Sequence, residues 1–146
     1  MDNQTQFAER FSYLISESNS TQKQLANAIG IKETSISNYK KGLSEPSIKH
    51  LVAIADYYKC STDYLIGKTD DLNEKEFNAC PPFYLRLQTL LKQNNISAYK
   101  FCKDNNLPQG SFYDWKNGKA EPNLFNLTKL SKIFDYSLDY LLGREK

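Results

Sequence analysis

The residue types that carry most enzyme chemistry are sparse in this chain. His50 is the sole histidine, and the three cysteines, Cys60, Cys80 and Cys102, stand 20 and 22 residues apart. That spacing matches neither a disulfide framework nor the close pairs of a zinc site. No glycine-rich phosphate loop and no metal-spaced cluster is present, which leaves little from which to assemble catalysis. The expectation is a non-enzyme without cofactor or metal. Cys60 and Cys102 fall on core-like positions, Cys80 reads as exposed, and His50 reads as an outward residue with no chemical task. What the sequence offers instead is a short run of hydrogen-bonding side chains, Glu33, Thr34, Ser35, Ser37 and Asn38, followed by Lys40 and Lys41. Taken alone, such a run is usually just a solvated face. Its worth depends on the elements that hold it.

Composition bounds those elements. The chain has 146 residues, 40% hydrophobic and 25% charged, close to the ordinary globular mix. No apolar run approaches the roughly 20 residues of a membrane span. The N-terminal stretch is polar and lacks the order of a secretion signal. The chain therefore reads as small, cytoplasmic and without a membrane partner. The formal net charge of +2 is too mild to announce a nucleic-acid ligand, because binding depends on where charge clusters.

Self-comparison is more informative. Shifted by 76 residues, Phe7–Gly67 aligns with Phe83–Gly143 without a gap, and 15 of 61 positions are identical. They include Arg10/Arg86, Leu14/Leu90, Ser35/Ser111, Lys40/Lys116, Gly42/Gly118 and Pro46/Pro122. Both units close on Ser-x-Asp-Tyr-Leu-x-Gly, and most differences exchange one apolar residue for another. Two copies of one fold are implied: residues 1–67, a polar connector over 68–82 with a helical turn or two at Leu72–Asn78, and residues 83–146. Net charge divides as 0, −2 and +4 among them.

Each unit reads as five helices and no strands. In the first, Gln4–Glu17 places Phe7, Phe11, Leu14 and Ile15 on one face at helical spacing. Thr21 caps a helix over Gln22–Ile29 that buries Leu25, Ala26 and Ile29. Gly30 stops it, Glu33–Lys41 follows with Ile36 and Tyr39 inward, and Gly42 stops that helix in turn. Pro46 and Ser47 open a fourth helix burying Ile48, Leu51, Ile54, Ala55 and Tyr58, and Thr62–Ile66 closes the core. Two short helices joined by a turn containing glycine form a helix-turn-helix, whose second helix can enter a DNA major groove. In the second unit Cys102 and Asn106 take the places of Ala26 and Gly30. Tyr39 and Trp115 share helical phase with Ile36 and Phe112, which favours core roles over base stacking.

With Thr-Gln-x-x-Leu-Ala-x-x-x-Gly at 21–30, Ile-Ser-x-Tyr-x-x-Gly at 36–42 and the Asp-Tyr-Leu-x-Gly closures, the sequence resembles the Cro and phage-repressor (XRE-type) helix-turn-helix family. The resemblance covers both units. It implies an all-α chain of two tandem five-helix lambda-repressor-like domains that bind duplex DNA, usually as dimers and usually to regulate transcription. It further implies recognition helices at about 33–41 and 109–117. Gln22, with Thr21 beside it, matches a phosphate-contacting position. Glu33, Thr34, Ser37 and Asn38 match base-facing positions, while Ser35, Lys40 and Lys41 suit phosphate. The corresponding second-unit set is Gln109, Ser111, Tyr113, Asp114, Lys116, Asn117 and Lys119. There, Ala98 for Gln22, Gly110 for Thr34 and Asp114 for Asn38 depart from the pattern. The first unit is expected to supply more of the sequence choice, and the second, at +4, more of the non-specific affinity.

The leading expectation is a sequence-specific regulator, a repressor of phage, mobile-element or host operons. The alternative is a protein-interaction module, an antirepressor or antitoxin. A 15-residue connector reaches at most about 50 Å, more than the roughly 34 Å between successive half-sites. Reach therefore permits an intrachain pseudo-dimer, or a homodimer in which one unit binds DNA and the other pairs chains.

Overall fold

In the computed structural model, which describes residues 2–72 and 75–145, every regular element is a helix. The first five are α1 (Asn3–Glu17), α2 (Gln22–Ile29), α3 (Glu33–Lys41), α4 (Ile48–Tyr58) and α5 (Thr62–Leu65). The next five repeat them as α6 (Phe83–Gln93), α7 (Ala98–Asn105), α8 (Gln109–Asn117), α9 (Leu124–Phe134) and α10 (Leu138–Leu142). The chain divides into two compact units, Met1–Phe77 and Asn78–Lys146.

Local chemistry sets the helix ends. Thr21 Oγ1 accepts from the Gln24 N–H at 3.1 Å while Gln24 Oε1 accepts from the Thr21 N–H at 2.8 Å, a reciprocal box that satisfies two donors at the start of α2. Ser47, Ser61, Ser97, Asn123 and Ser137 cap α4, α5, α7, α9 and α10 in the simpler one-way manner. Gly30 ends α2 at φ +70° and Asn106 ends α7 at φ +53°. Asparagine is the non-glycine residue that best tolerates this left-handed turn.

In the first unit α1 packs on α3 and α5, and α2 packs on α3 and α4. Phe7, Phe11, Leu25, Ile36, Leu51, Ile54 and Leu65 make the core. Ile15, Ile29 and Tyr58, expected inside, are only half-buried, since each lies at the edge of its helix's apolar stripe. The second unit repeats this order with Leu87, Leu90, Phe101, Phe112, Leu127, Leu138 and Leu141. Tyr39 and Trp115 are both buried.

The identical arginines of the repeat close each unit. Arg10 lies over the Tyr64 ring at 4.5 Å and donates to the Thr69 carbonyl; Arg86 lies over Tyr140 at 4.8 Å and donates to the Tyr140 carbonyl. Behind α10, Arg144 is buried against Asp139.

Residues 68–82 are more tethered than their composition suggests. Asp70 accepts from Arg10 at 2.7 Å and the Lys75 N–H reaches the Lys59 carbonyl, both in the first unit. The Asn78 N–H donates to the Arg144 carbonyl at 2.7 Å, and the Cys80 thiol donates to the Leu142 carbonyl at 3.0 Å. Cys80 is thus half-buried rather than free on the surface. No helix forms among the described residues of Leu72–Asn78; Asn73 and Glu74 lie outside them.

Candidate nucleic-acid interface

Two contacts fix what surrounds α3. Lys40 Nζ donates to Gln22 Oε1 at 3.3 Å, which sets the start of α2 beside the end of α3. Tyr39 Oη shares a 2.6 Å hydrogen bond with His50 Nδ1, which sets the first turn of α4 against the same helix. His50 is accordingly half-buried and bonded, not an idle outward residue. Burial first, then the neighbouring Lys49 charge, pushes its pKa below the usual histidine value, while burial raises that of the Tyr39 phenol.

Around this frame the predicted residues face outward. Thr21, Glu33, Thr34, Asn38, Lys40 and Lys41 are exposed, and Gln22, Ser35 and Ser37 are half-exposed. The structure brings Gln22 and Lys40 into contact; the others share α3 or the start of α2. Lys32, the residue before α3, makes no side-chain cap, so the first amide donors of α3 have no side-chain acceptor there. Lys23 on the first turn of α2, Lys32 before α3 and Lys49 on the first turn of α4 are also exposed. Together with Lys40 and Lys41 they are five of the seven cations of residues 1–67, all five exposed and lying on α3, next to it in sequence or on the first turns of α2 and α4. Residues 1–67, with zero net charge, thus still expose lysines on α3 and on the first turns of the helices that flank it, and such local clusters rather than the total decide the attraction for a polyanion.

Sequence reading missed Lys23, Lys32 and Lys49, because a charge total per unit hides where the charges lie. It also missed the side chains that hold α3 from behind. Ser12 Oγ donates to the Lys40 carbonyl at 3.1 Å and Gln4 Nε2 to the Gly42 carbonyl at 3.0 Å. In the second unit Gln88 Nε2 donates to the Lys116 carbonyl at 2.9 Å, the same task at the repeat-equivalent position. Ser12 and Gln88 are different residue types, so identity between repeats gave no signal.

The second unit presents its predicted set differently. Gln109, Ser111, Asp114, Asn117 and Lys119 are exposed and Tyr113 and Lys116 half-exposed, with Lys116 Nζ 5.6 Å from the centre of the Tyr113 ring. Ala98 offers no acceptor where Gln22 does. An open cleft of about 490 Å³ stands there, lined by Gln88, Lys92, Ala98 and Lys116 among others.

Two helices crossing at a glycine-type turn, the second exposed and flanked by the starts of its neighbours, define a helix-turn-helix domain, here present twice. Comparison with known proteins agrees: a helix-turn-helix family model matches residues 13–65, and a Cro/C1-type helix-turn-helix DNA-binding domain model matches residues 86–146. The chain belongs to the Cro/C1-type helix-turn-helix family, with two of its domains in tandem. Relatives include the uncharacterized HTH-type transcriptional regulator YobD of Bacillus subtilis, 40% identical over 38% of this chain and 49% of its own length. The HTH-type transcriptional regulator ImmR of Bacillus subtilis is 36% identical over 38% of this chain and 42% of its own. The cryptic phage CTXphi transcriptional repressor RstR of Vibrio cholerae is 43% identical over 38% and 52%. The chain thus spans about half the length of the curated relatives it matches. No solved structure gives a significant match. Among the described residues no helix is long and apolar enough to cross a membrane.

Proposed function

We propose that the protein is a sequence-specific duplex-DNA-binding regulator of transcription, not an enzyme, that represses by occupying a promoter in the cytoplasm. The observation that carries this reading is the first unit's exposed α3, which bears Lys40 and Lys41, follows Lys32 and meets the start of α2 through the Lys40–Gln22 hydrogen bond. Gln22 with Thr21, Ser35, Lys40 and Lys41 hold phosphates, which position the helix and supply salt-dependent affinity. Glu33, Thr34, Ser37 and Asn38 face base edges: Asn can bond adenine through N6 and N7, and Glu can accept from cytosine N4. The name of RstR, a cryptic phage repressor, supports repression of phage-type operons, and the name of ImmR supports regulation of transcription.

Selection of binding sites from random duplex DNA tests the reading. The wild-type chain enriches one motif, and Asn38→Ala relaxes preference at one base pair, a loss of about 1–3 kcal/mol of discrimination. Enrichment of no motif would overturn it.

A further inference from the structure

His50 is the chain's sole histidine, and it touches the helix proposed above to read DNA. Its Nδ1 is 2.6 Å from Tyr39 Oη, and the two rings meet edge to face with centroids 5.9 Å apart. Tyr39 directly precedes Lys40 and Lys41 on α3. His50 itself sits in the first turn of α4, where Ser47 Oγ accepts from its N–H at 3.2 Å, and its sequence neighbour is the exposed Lys49. The start of a helix favours an anion and disfavours a cation. In the free protein a charged imidazole is therefore opposed by partial burial, by Lys49 and by the helix end, and the first two hold its pKa below the usual value.

The elements around the ring supply few other charges. Besides Tyr39, α3 carries Glu33, Lys40 and Lys41, the loop after it Glu45, and α4 itself Lys49 and, further along, Asp56, Tyr57 and Tyr58. Of the helices packed on α4, α2 carries Lys23, while α5 carries Asp63, 3.9 Å from Lys68, and Tyr64, which lies under Arg10. The charge that acts on the ring is Lys49, and it opposes the imidazolium. A phosphate backbone at the same place would do the reverse. Both protonation states can keep the bond to Tyr39: a neutral Nδ1 can accept from the phenol, and an imidazolium donates to the same oxygen. The attachment of α3 to α4 then persists, and the net change is one positive charge. With Nδ1 held by Tyr39, Nε2 is the ring nitrogen left to donate to a phosphate oxygen.

We propose that His50 takes up a proton when the first unit binds duplex DNA, so that phosphate at the start of α4 is met by an imidazolium beside Lys49. This rests on the DNA reading of that unit. The complex then holds more protons than its separate parts, and affinity rises as pH falls. The second unit has no counterpart, since Trp115 and Asn126 stand at the repeat positions of Tyr39 and His50.

The test uses the full chain and a short mixed-sequence duplex at low salt. A sole histidine gives one imidazole Cε1 proton resonance to follow through pH by NMR, with and without the duplex. Its pKa is expected to rise by about one unit in the complex, which corresponds to about tenfold in affinity across the titration. At fixed ionic strength, affinity should rise several-fold from pH 7.5 to pH 5.5, and the salt slope at the lower pH should be steeper by about 1. His50→Asn, which installs the second unit's own residue, should flatten the pH profile. His50→Lys, charged throughout, should also bind independently of pH and more tightly at pH 7.5 than His50→Asn. Circular dichroism at each pH checks that the variants stay helical; His50→Lys alone carries the test should His50→Asn not. An imidazole pKa unchanged by the duplex, a flat wild-type profile, or a rise that persists in the variants would overturn the proposal and leave the DNA reading standing. Absence of binding at every pH would overturn both.

Discussion

Tyr39 and His50 link the core of the first unit to the helix that faces outward. The phenol is buried under Phe7, with ring centroids 6.1 Å apart, while its hydroxyl meets the imidazole of α4. Removing that hydroxyl with Tyr39→Phe should destabilise the first unit by about 0.5–1.5 kcal/mol, the usual worth of one intramolecular hydrogen bond. Native-state hydrogen exchange, which resolves each unit, is the measurement. The imidazole also gives a pH dependence. Its folded pKa lies below 6.5, so the unfolded chain binds the proton more readily than the folded one. Stability from this group is complete above about pH 6.5 and is lost as pH falls through that value toward the depressed folded pKa. His50→Asn should flatten that slope in chemical denaturation followed at several pH values. None of this was visible in the sequence. The partner of a lone histidine eleven residues away depends on how α4 crosses α3, and helical phase alone placed His50 outward.

At the scale of the element, the helices were legible because each carries its own boundary chemistry. The Thr21 cap, the Gly30 stop, the Gly42 stop and the Pro46-Ser47 opening lie where the chain turns. The substitution of Asn106 for Gly30 was readable for the same reason: both end a helix with positive φ. A Cβ at Gly30 would meet nothing within 4 Å, so Gly30→Ala should cost only the backbone strain, about 1 kcal/mol. Asn106→Gly should be neutral to slightly stabilising. Amide exchange in α2 and α7 checks the pair. Less legible were the connector and the charge distribution. Arg10 and Arg86 were identical between repeats, yet nothing local said that Arg10 would clasp the segment after α5 or that Arg86 would bond the carbonyls of α10. Segment totals of 0, −2 and +4 pointed away from the unit whose lysines gather around α3.

Across the whole molecule, two copies of one fold share a core and differ in what they present to solvent. The cores are kept by apolar exchange at fixed positions, such as Ile36 for Phe112 and Ile54 for Leu130, all buried. The outward faces diverged freely, since exposed residues are not held by packing, and there the two units part: lysines in one, tyrosine and phenylalanine in the other. The central claim is that the first unit's α3 engages duplex DNA through its surrounding lysines. Its most direct test is the affinity of the full chain for duplex DNA over a series of salt concentrations. Binding through several phosphates predicts a steep linear fall of log affinity with log salt, and a slope shallower by about 1 for each of Lys40→Ala and Lys41→Ala. A flat salt response, or a slope that neither substitution changes, would contradict the account.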